Sequence, residues 1–260
     1  SYNLKNKIIK IFINFKQNQQ IGLPPKNLYI KKNFINELLD DTPGSTKKWK
    51  SGFYLNEDET LDDIEIKLRG DNTANWFFEK KYWRIKTKKN KLIKRQREFE
   101  YSPFIFDIYL SGKIANSLGL LSSNFKPVEL FINKESQGTY IESETLNESF
   151  LRRKKIMPVN LYKGEQILAE TIIGLENNLF NSPGALKKIA IFNQADIDDK
   201  SDLIYLFDLF QSSQNDDLKY SDLLEVIDLD YWSKFSAYQI ITQNFHNDGS
   251  HNFRLLSDPW

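Results

Sequence analysis

Residues 244–253, NFHNDGSHNF, bring together both histidines of the chain, one aspartate and three asparagines. Asp248 and Asn252 each offer an oxygen suited to a hard cation such as Mg2+ or Mn2+. Asp248 can instead orient or deprotonate a hydroxyl group. A zinc site built from His246, Asp248 and His251 is a weaker alternative, because the spacing fits no zinc signature and no cysteine is present. The plainest alternative is a polar turn, since Asn, Asp, Gly and Ser are turn formers and His251 can satisfy backbone groups.

A second chemical stretch is KKYWRIK at 80–86. Lysine holds phosphate oxygens as a point charge and arginine as a planar fork, so Lys80, Lys81 and Arg84 are candidate anion ligands. The alternative is that these long side chains only cover a half-buried strand. Glu142 and Glu144 stand two residues apart, so they share a face if their strand continues past Ile141. Either can pair with a lysine and fix it for phosphate contact, or form a surface salt bridge of about 0–1 kcal/mol. The chain has no Walker A run, no GxGxxG and no GxSxG.

The elements that must position these residues follow from periodicity. Residues 5–15 read as a strand, and Gly22-Leu23-Pro24-Pro25 ends regular structure. A polar loop is expected over 40–52. IEIKLRG (64–70) alternates sharply, KKYWRIKTK (80–88) is a second strand, and the short connection predicts an antiparallel pair. Ser102-Pro103 is expected to open a helix that Gly119 helps to end. Residues 127–132 and 138–141 read as strands joined by a turn at 133–136. Beyond about 145 the period becomes helical: 144–155, 200–213 with Ser201 as a cap, and 231–243 capped by Asp230, with Phe235, Tyr238 and Ile241 recurring every three residues. HNFRLL (251–256) reads as a short strand. These patterns predict an α+β chain with a strand-rich part over 1–145 and a mainly helical part over 146–260.

Composition narrows the class. The 260 residues carry 36 basic and 35 acidic side chains, a net charge of +1, which provides no field for nucleic acid or an anionic membrane. Forty per cent hydrophobic residues with 19 Phe, 12 Tyr and 5 Trp can fill a sizeable core and argue against disorder. Without cysteine, disulfides and thiolate nucleophiles are excluded. That suits a protein working outside a bacterial cell, and equally many cytoplasmic ones. No apolar run reaches the length of a membrane span. The absence of an initiator Met predicts an upstream segment of the signal-peptide kind, and the Asp-Pro-Trp end predicts a downstream continuation.

Taken in order, several segments resemble the spore-coat CotH kinase family: LRG at 68–70, KKYWRIK at 80–86, VELFINKESQGTYIESETLNESFL at 128–151, NLYKG around Lys163, and DLDYWSKFSAYQIITQ before the HN loop and its apolar strand. The resemblance covers roughly 60–260. It implies an atypical protein-kinase-like fold of two lobes, with ATP and Mg2+ or Mn2+ in the cleft. It implies phosphorylation of a serine-rich protein acceptor, and an extracellular, cell-surface or spore-coat location. Carried over, the nucleotide-phosphate lysine is Lys81 with Lys80 as the alternative, Glu144 is its carboxylate partner, Asp248 is the catalytic or metal-organising acid, and Asn252 is a metal ligand. In ordinary kinases the catalytic Asp and the metal-binding Asn are five residues apart. Here Asp248 and Asn252 are four apart, and Asn247 stands five before Asn252. The family's further metal-binding Asp, in a Trp-Asp motif, is expected beyond Trp260. A surface binding module on the same scaffold and a metal-dependent hydrolase are the competing expectations.

Overall fold

In the computed structural model the chain divides into two compact units, Ser1–Thr145 and Leu146–Trp260. The structure describes residues 22–42, 44–70, 77–88, 90–164, 182–191, 196–213, 217–243 and 253–259; the strand expected at 5–15 lies outside them.

The first unit is a closed barrel. Its strands are β1 (Pro25–Ile30), β2 (Lys50–Leu55), β3 (Leu61–Leu68), β4 (Trp83–Thr87), β5 (Glu98–Pro103), β6 (Lys126–Ile132) and β7 (Glu135–Glu144). They run in the order β1-β2-β3-β4-β5-β7-β6, and a parallel β1–β6 pairing closes the ring. Period-two alternation is what fills it. Ile64, Ile66 and Leu68 of β3 point inward with Trp83 and Ile85 of β4, Phe99 and Tyr101 of β5, and Val128 and Leu130 of β6. The expected antiparallel pairing of 64–70 with 80–88 is the β3–β4 ladder.

Three local expectations change. PKNLYI forms β1 although two prolines introduce it, because Pro25 occupies the first strand position, where proline is tolerated. The loop expected over 40–52 contains a short 3-10 helix at Gly44–Lys47 and the start of β2. Ser102 and Pro103 do not open a helix: they end β5, because Phe99 and Tyr101 are drawn into the core and the strand continues past them. Helix α1 (Lys32–Asp40) precedes these, and α2 (Phe106–Ser117) begins after Ile105. The end of α2 follows the sequence. Gly119 takes φ +77°, its N–H donates to the Asn116 carbonyl at 3.2 Å, and the Leu120 N–H donates to Ala115 at 3.0 Å. These are the paired bonds of a Schellman stop.

Two hairpins turn through consecutive left-handed residues. At β6–β7 these are Asn133 (φ 52°) and Lys134 (φ 70°). Asn133 also accepts from the Ile30 N–H at 2.9 Å and donates to its carbonyl at 2.8 Å, stitching the turn to β1. In the β4–β5 connection they are Lys94 (φ 49°) and Arg95 (φ 64°), flanked by the Ile93–Gln96 bridge. Such turns favour Asn-Gly, and bulky residues there cost on the order of 1 kcal/mol each. Lys94→Asn/Arg95→Gly is therefore expected to stabilise the protein by ~1–2 kcal/mol in urea denaturation. An unchanged or lower midpoint would show that the turn carries no strain.

The second unit contains α3 (Glu148–Arg153), α4 (Ser201–Ser213), α5 (Asp217–Val226) and α6 (Leu229–Thr242). It also holds a three-stranded antiparallel sheet, β8 (Asn160–Gly164), β9 (Leu186–Ala190) and β10 (Phe253–Ser257), in the order β10-β8-β9. The strand expected at HNFRLL is β10, and this mainly helical half also holds its two partners, β8 and β9, which were not expected. Five-residue strands whose partners lie far along the chain leave little local signal. The cap of α6 is Asp228, which accepts from the Tyr231 N–H at 2.9 Å, while Asp230 sits inside the first turn and pairs with Lys234. Of the three recurring residues of α6, Tyr238 is buried and Ile241 is exposed. The sheet is tied to α4 through Asp202, whose carboxylate accepts from the Tyr162 hydroxyl at 2.5 Å, the Asn160 amide at 3.0 Å and the Leu203 N–H at 2.8 Å.

Candidate functional site

Residues that alternate with the barrel's core side chains must face outward, and on β3, β4 and β5 several of them are charged. The register sets Lys67 beside Arg84, Arg84 beside Glu100, and Glu100 beside Ser143. Glu100 is about nine-tenths covered and takes two arginines. Arg69 Nε lies 3.0 Å from Glu100 Oε2, and Arg84 Nη2 forms an ion pair with Oε1. Arg69 Nη1 also donates to Ser102 Oγ at 3.3 Å, and the Thr145 hydroxyl donates to Glu100 at 3.4 Å. Burial pushes the Glu100 carboxyl up, but Arg69 and Arg84 outweigh it and hold the group below the ordinary carboxylate range.

Two guanidiniums against one carboxylate leave a local excess of positive charge. The Arg84 Nε is buried and has no hydrogen-bond partner. Planar forks held by a shared carboxylate, with positive charge in excess, are a donor set that fits phosphate oxygens.

Lys80 and Lys81 precede β4, next to Tyr82, whose carbonyl accepts from the Arg69 N–H at 2.9 Å. Lys80 sits with its Nζ 6.0 Å from the centre of the Tyr140 ring. Gly138 takes φ +84°, which favours glycine, and a Cβ there would stand 3.0 Å from the Lys80 ammonium, which would have to shift slightly. Lys81 Nζ donates to the Phe78 carbonyl at 2.5 Å, and the Tyr140 hydroxyl donates to the Lys81 carbonyl at 3.0 Å. Burial pushes the Tyr140 hydroxyl up to about 12.

Glu142 and Glu144 do share a face of β7, and it is the inner one. Glu144 is level with Phe99 and accepts from the Gln96 amide at 3.1 Å. Glu142 lies 3.2 Å from Lys26 Nζ and accepts from the Tyr101 hydroxyl at 3.0 Å, and Lys26 also donates to Tyr54 at 3.2 Å. The structure thus brings Arg84 together with Arg69 and Glu100 on one side of the barrel wall and places Glu142 and Glu144 on the other. Asp248 and Asn252, with His246 and His251, lie outside the described residues. Among the described residues no three His, Asp or Glu side chains converge as a metal site.

Three participants were not singled out from sequence: Glu100, Arg69 as a ligand, and Lys26. Glu100 had a signal, because EFEY alternates acid with aromatic and so must turn one face outward. Arg69 stood at a recognised strand end. Lys26 follows two prolines and carried no signal.

No curated protein matches the chain. A family model described as CotH kinase protein matches residues 66–259, a span that takes in Arg69, Arg84 and Glu100 as well as the NFHNDGSHNF loop and leaves β1 and β2 before it. By that match over most of its length, the chain belongs to the CotH kinase protein family.

Proposed function

We propose that the chain is an ATP- and divalent-metal-dependent phosphotransferase, acting on serine side chains of a surface or coat protein. The observation that carries this reading is the Arg69–Glu100–Arg84 cluster, a fixed pair of guanidiniums inside the family-matched span. Phosphoryl transfer asks a protein mainly for positioning and for positive charge around the phosphates. Arg84 and Arg69 hold phosphate oxygens, and Glu100 keeps both forks in place so that little freedom is lost on binding. Lys81, with Lys80 beside it, precedes the strand that carries Arg84 and adds lysine charge. Glu144 serves the site from inside the barrel by anchoring the end of β7, whose next residue, Thr145, donates to Glu100.

Asp248 orients the acceptor hydroxyl, and Asp248 with Asn252 would hold Mg2+ or Mn2+, which when bound neutralises charge between the phosphates. The acceptor protein approaches from solvent, and no described helix is long and apolar enough to cross a membrane.

The reading is tested by transfer of labelled phosphate from ATP to a serine-rich peptide in the presence of Mn2+ or Mg2+. Asp248→Ala is expected to lower transfer by about 100-fold or more, the scale of a lost acid–base and positioning group. Nucleotide binding without transfer by the wild-type protein would favour a binding module. Metal-dependent release of phosphate without an acceptor would favour a hydrolase.

A further inference from the structure

Charge is segregated along the barrel in a way the phosphate site does not use. Beyond Arg84, residues 86–97 contain seven basic side chains and no acidic one, in a chain whose net charge is only +1. Residues 57–63 contain five carboxylates and no basic side chain. Because β3 and β4 are antiparallel neighbours, the β2–β3 and β4–β5 connections leave the same end of the barrel. There the two hairpins pair: Lys88 with Asp63 at 2.8 Å, Lys91 with Asp62, and Lys94 with Glu57 at 2.6 Å. Hydrogen bonds from these lysines hold all three carboxyls below their ordinary range.

The two partners are not equally fixed. The basic hairpin is anchored by Ile93, which is buried in the barrel core between Lys91 and Lys94. The tip of the acidic hairpin, residues 57–61, is exposed throughout. The Lys94 and Glu57 side chains are themselves 50% and 80% exposed, a setting in which an ion pair is weak and exchangeable. The basic tip keeps two consecutive left-handed residues, Lys94 and Arg95, where the acidic tip has one, Glu59 (φ 64°), and Arg95 has no ion-pair partner among the described residues. Strain retained at an exposed cationic tip points to a contact outside the turn itself.

We propose that the β4–β5 hairpin is a docking surface for an acidic segment of another protein, and that the β2–β3 hairpin occupies it in the free chain as a tethered competitor. The occupant's chemistry is read from what already sits there: carboxylates, each met singly by a lysine at three-residue spacing. An incoming segment with several carboxylates displaces Glu57 and Asp63, whereas Asp62, buried in β3 and held also by the Asn56 amide at 2.9 Å, stays in place. The hairpin anchored by Ile93 is the receptor, and the acidic tip around Glu57 yields.

The test is fluorescence anisotropy with a labelled oligoglutamate peptide at low salt. Wild type binds weakly. Glu57→Gln/Asp63→Asn removes the competitor and tightens binding by about tenfold, whereas Lys94→Glu/Arg95→Glu abolishes it. A readout without substitution is amide exchange in wild type, where saturating oligoglutamate accelerates exchange over residues 57–60. The proposal is overturned if Glu57→Gln/Asp63→Asn binds no tighter than wild type. It is overturned equally if single-stranded DNA binds that variant more tightly than oligoglutamate does, or if exchange over 57–60 is unchanged.

Discussion

Glu142→Ala is expected to cost about 3–5 kcal/mol of unfolding free energy, the largest loss for any single substitution considered for the barrel. Glu142 and Lys26 each have side chains about 7% exposed and lie 3.2 Å apart on the inner wall. Removing the carboxylate leaves an ammonium in a covered site with only the Tyr54 hydroxyl as a hydrogen-bond partner from this cluster. The Tyr101 hydroxyl loses its acceptor in the same step. Urea denaturation measures the loss. Lys26→Met/Glu142→Leu removes both charges at similar volume and is expected to recover most of it, because the penalty lies in the unpaired ion more than in the missing pair.

The pH dependence has a definite sign. Burial alone would lower the Lys26 pKa, but Glu142 and Tyr54 outweigh it and the net displacement is upward from 10.5. A lysine whose folded value is raised contributes stability that is complete below its unfolded value and is lost only as pH climbs through the folded one. The contribution of Lys26 should therefore persist at neutral pH and fade above about 10.5. A loss near pH 7 would contradict this assignment.

The second large effect concerns nucleotide. Arg84→Ala is expected to weaken ATP binding by about 10- to 100-fold, the range for losing a charge-assisted contact to phosphate. Arg84→Lys keeps the charge but loses the fork, so it should recover only part of the affinity. Arg69→Ala should act in the same direction. The double variant should fall short of the product of the two single losses, since both arginines share Glu100. Calorimetric titration, run well below each variant's melting midpoint, gives the constants and separates lost binding from lost folding.

How much of this was legible in the chain depends on where each signal resides. IEIKL and YWRIK show their faces by alternation alone, so β3, β4 and their pairing could be read directly, and with them the outward position of Arg84. Gly119 and Asn133 announce a helix stop and a hairpin turn because few other residues take those backbone conformations easily. The strand β1 could not be read that way. Its partners are β2 and, about a hundred residues along, β6, while its own sequence opens on prolines.

Ser102-Pro103 carried a genuine local preference for a helix start, which the burial of Phe99 and Tyr101 overrode. Glu100 shows where the limit lies for the site. Its outward face was readable, but its role depends on having Arg84 as a lateral neighbour and Arg69 within reach across β4, and only the assembled register supplies that. Glu144 lies on the inner face of β7 and accepts from Gln96, a placement that composition and spacing do not encode.

The central claim is that this member of the CotH kinase family binds ATP with a divalent ion on the Arg69–Glu100–Arg84 face. Calorimetric titration of the wild-type protein with ATP, with and without Mg2+ or Mn2+, tests it most directly. Saturable binding is expected, strengthening with the metal and weakening by about tenfold or more in Arg84→Ala. Absence of binding under every metal condition, or binding that Arg84→Ala leaves unchanged, would contradict it.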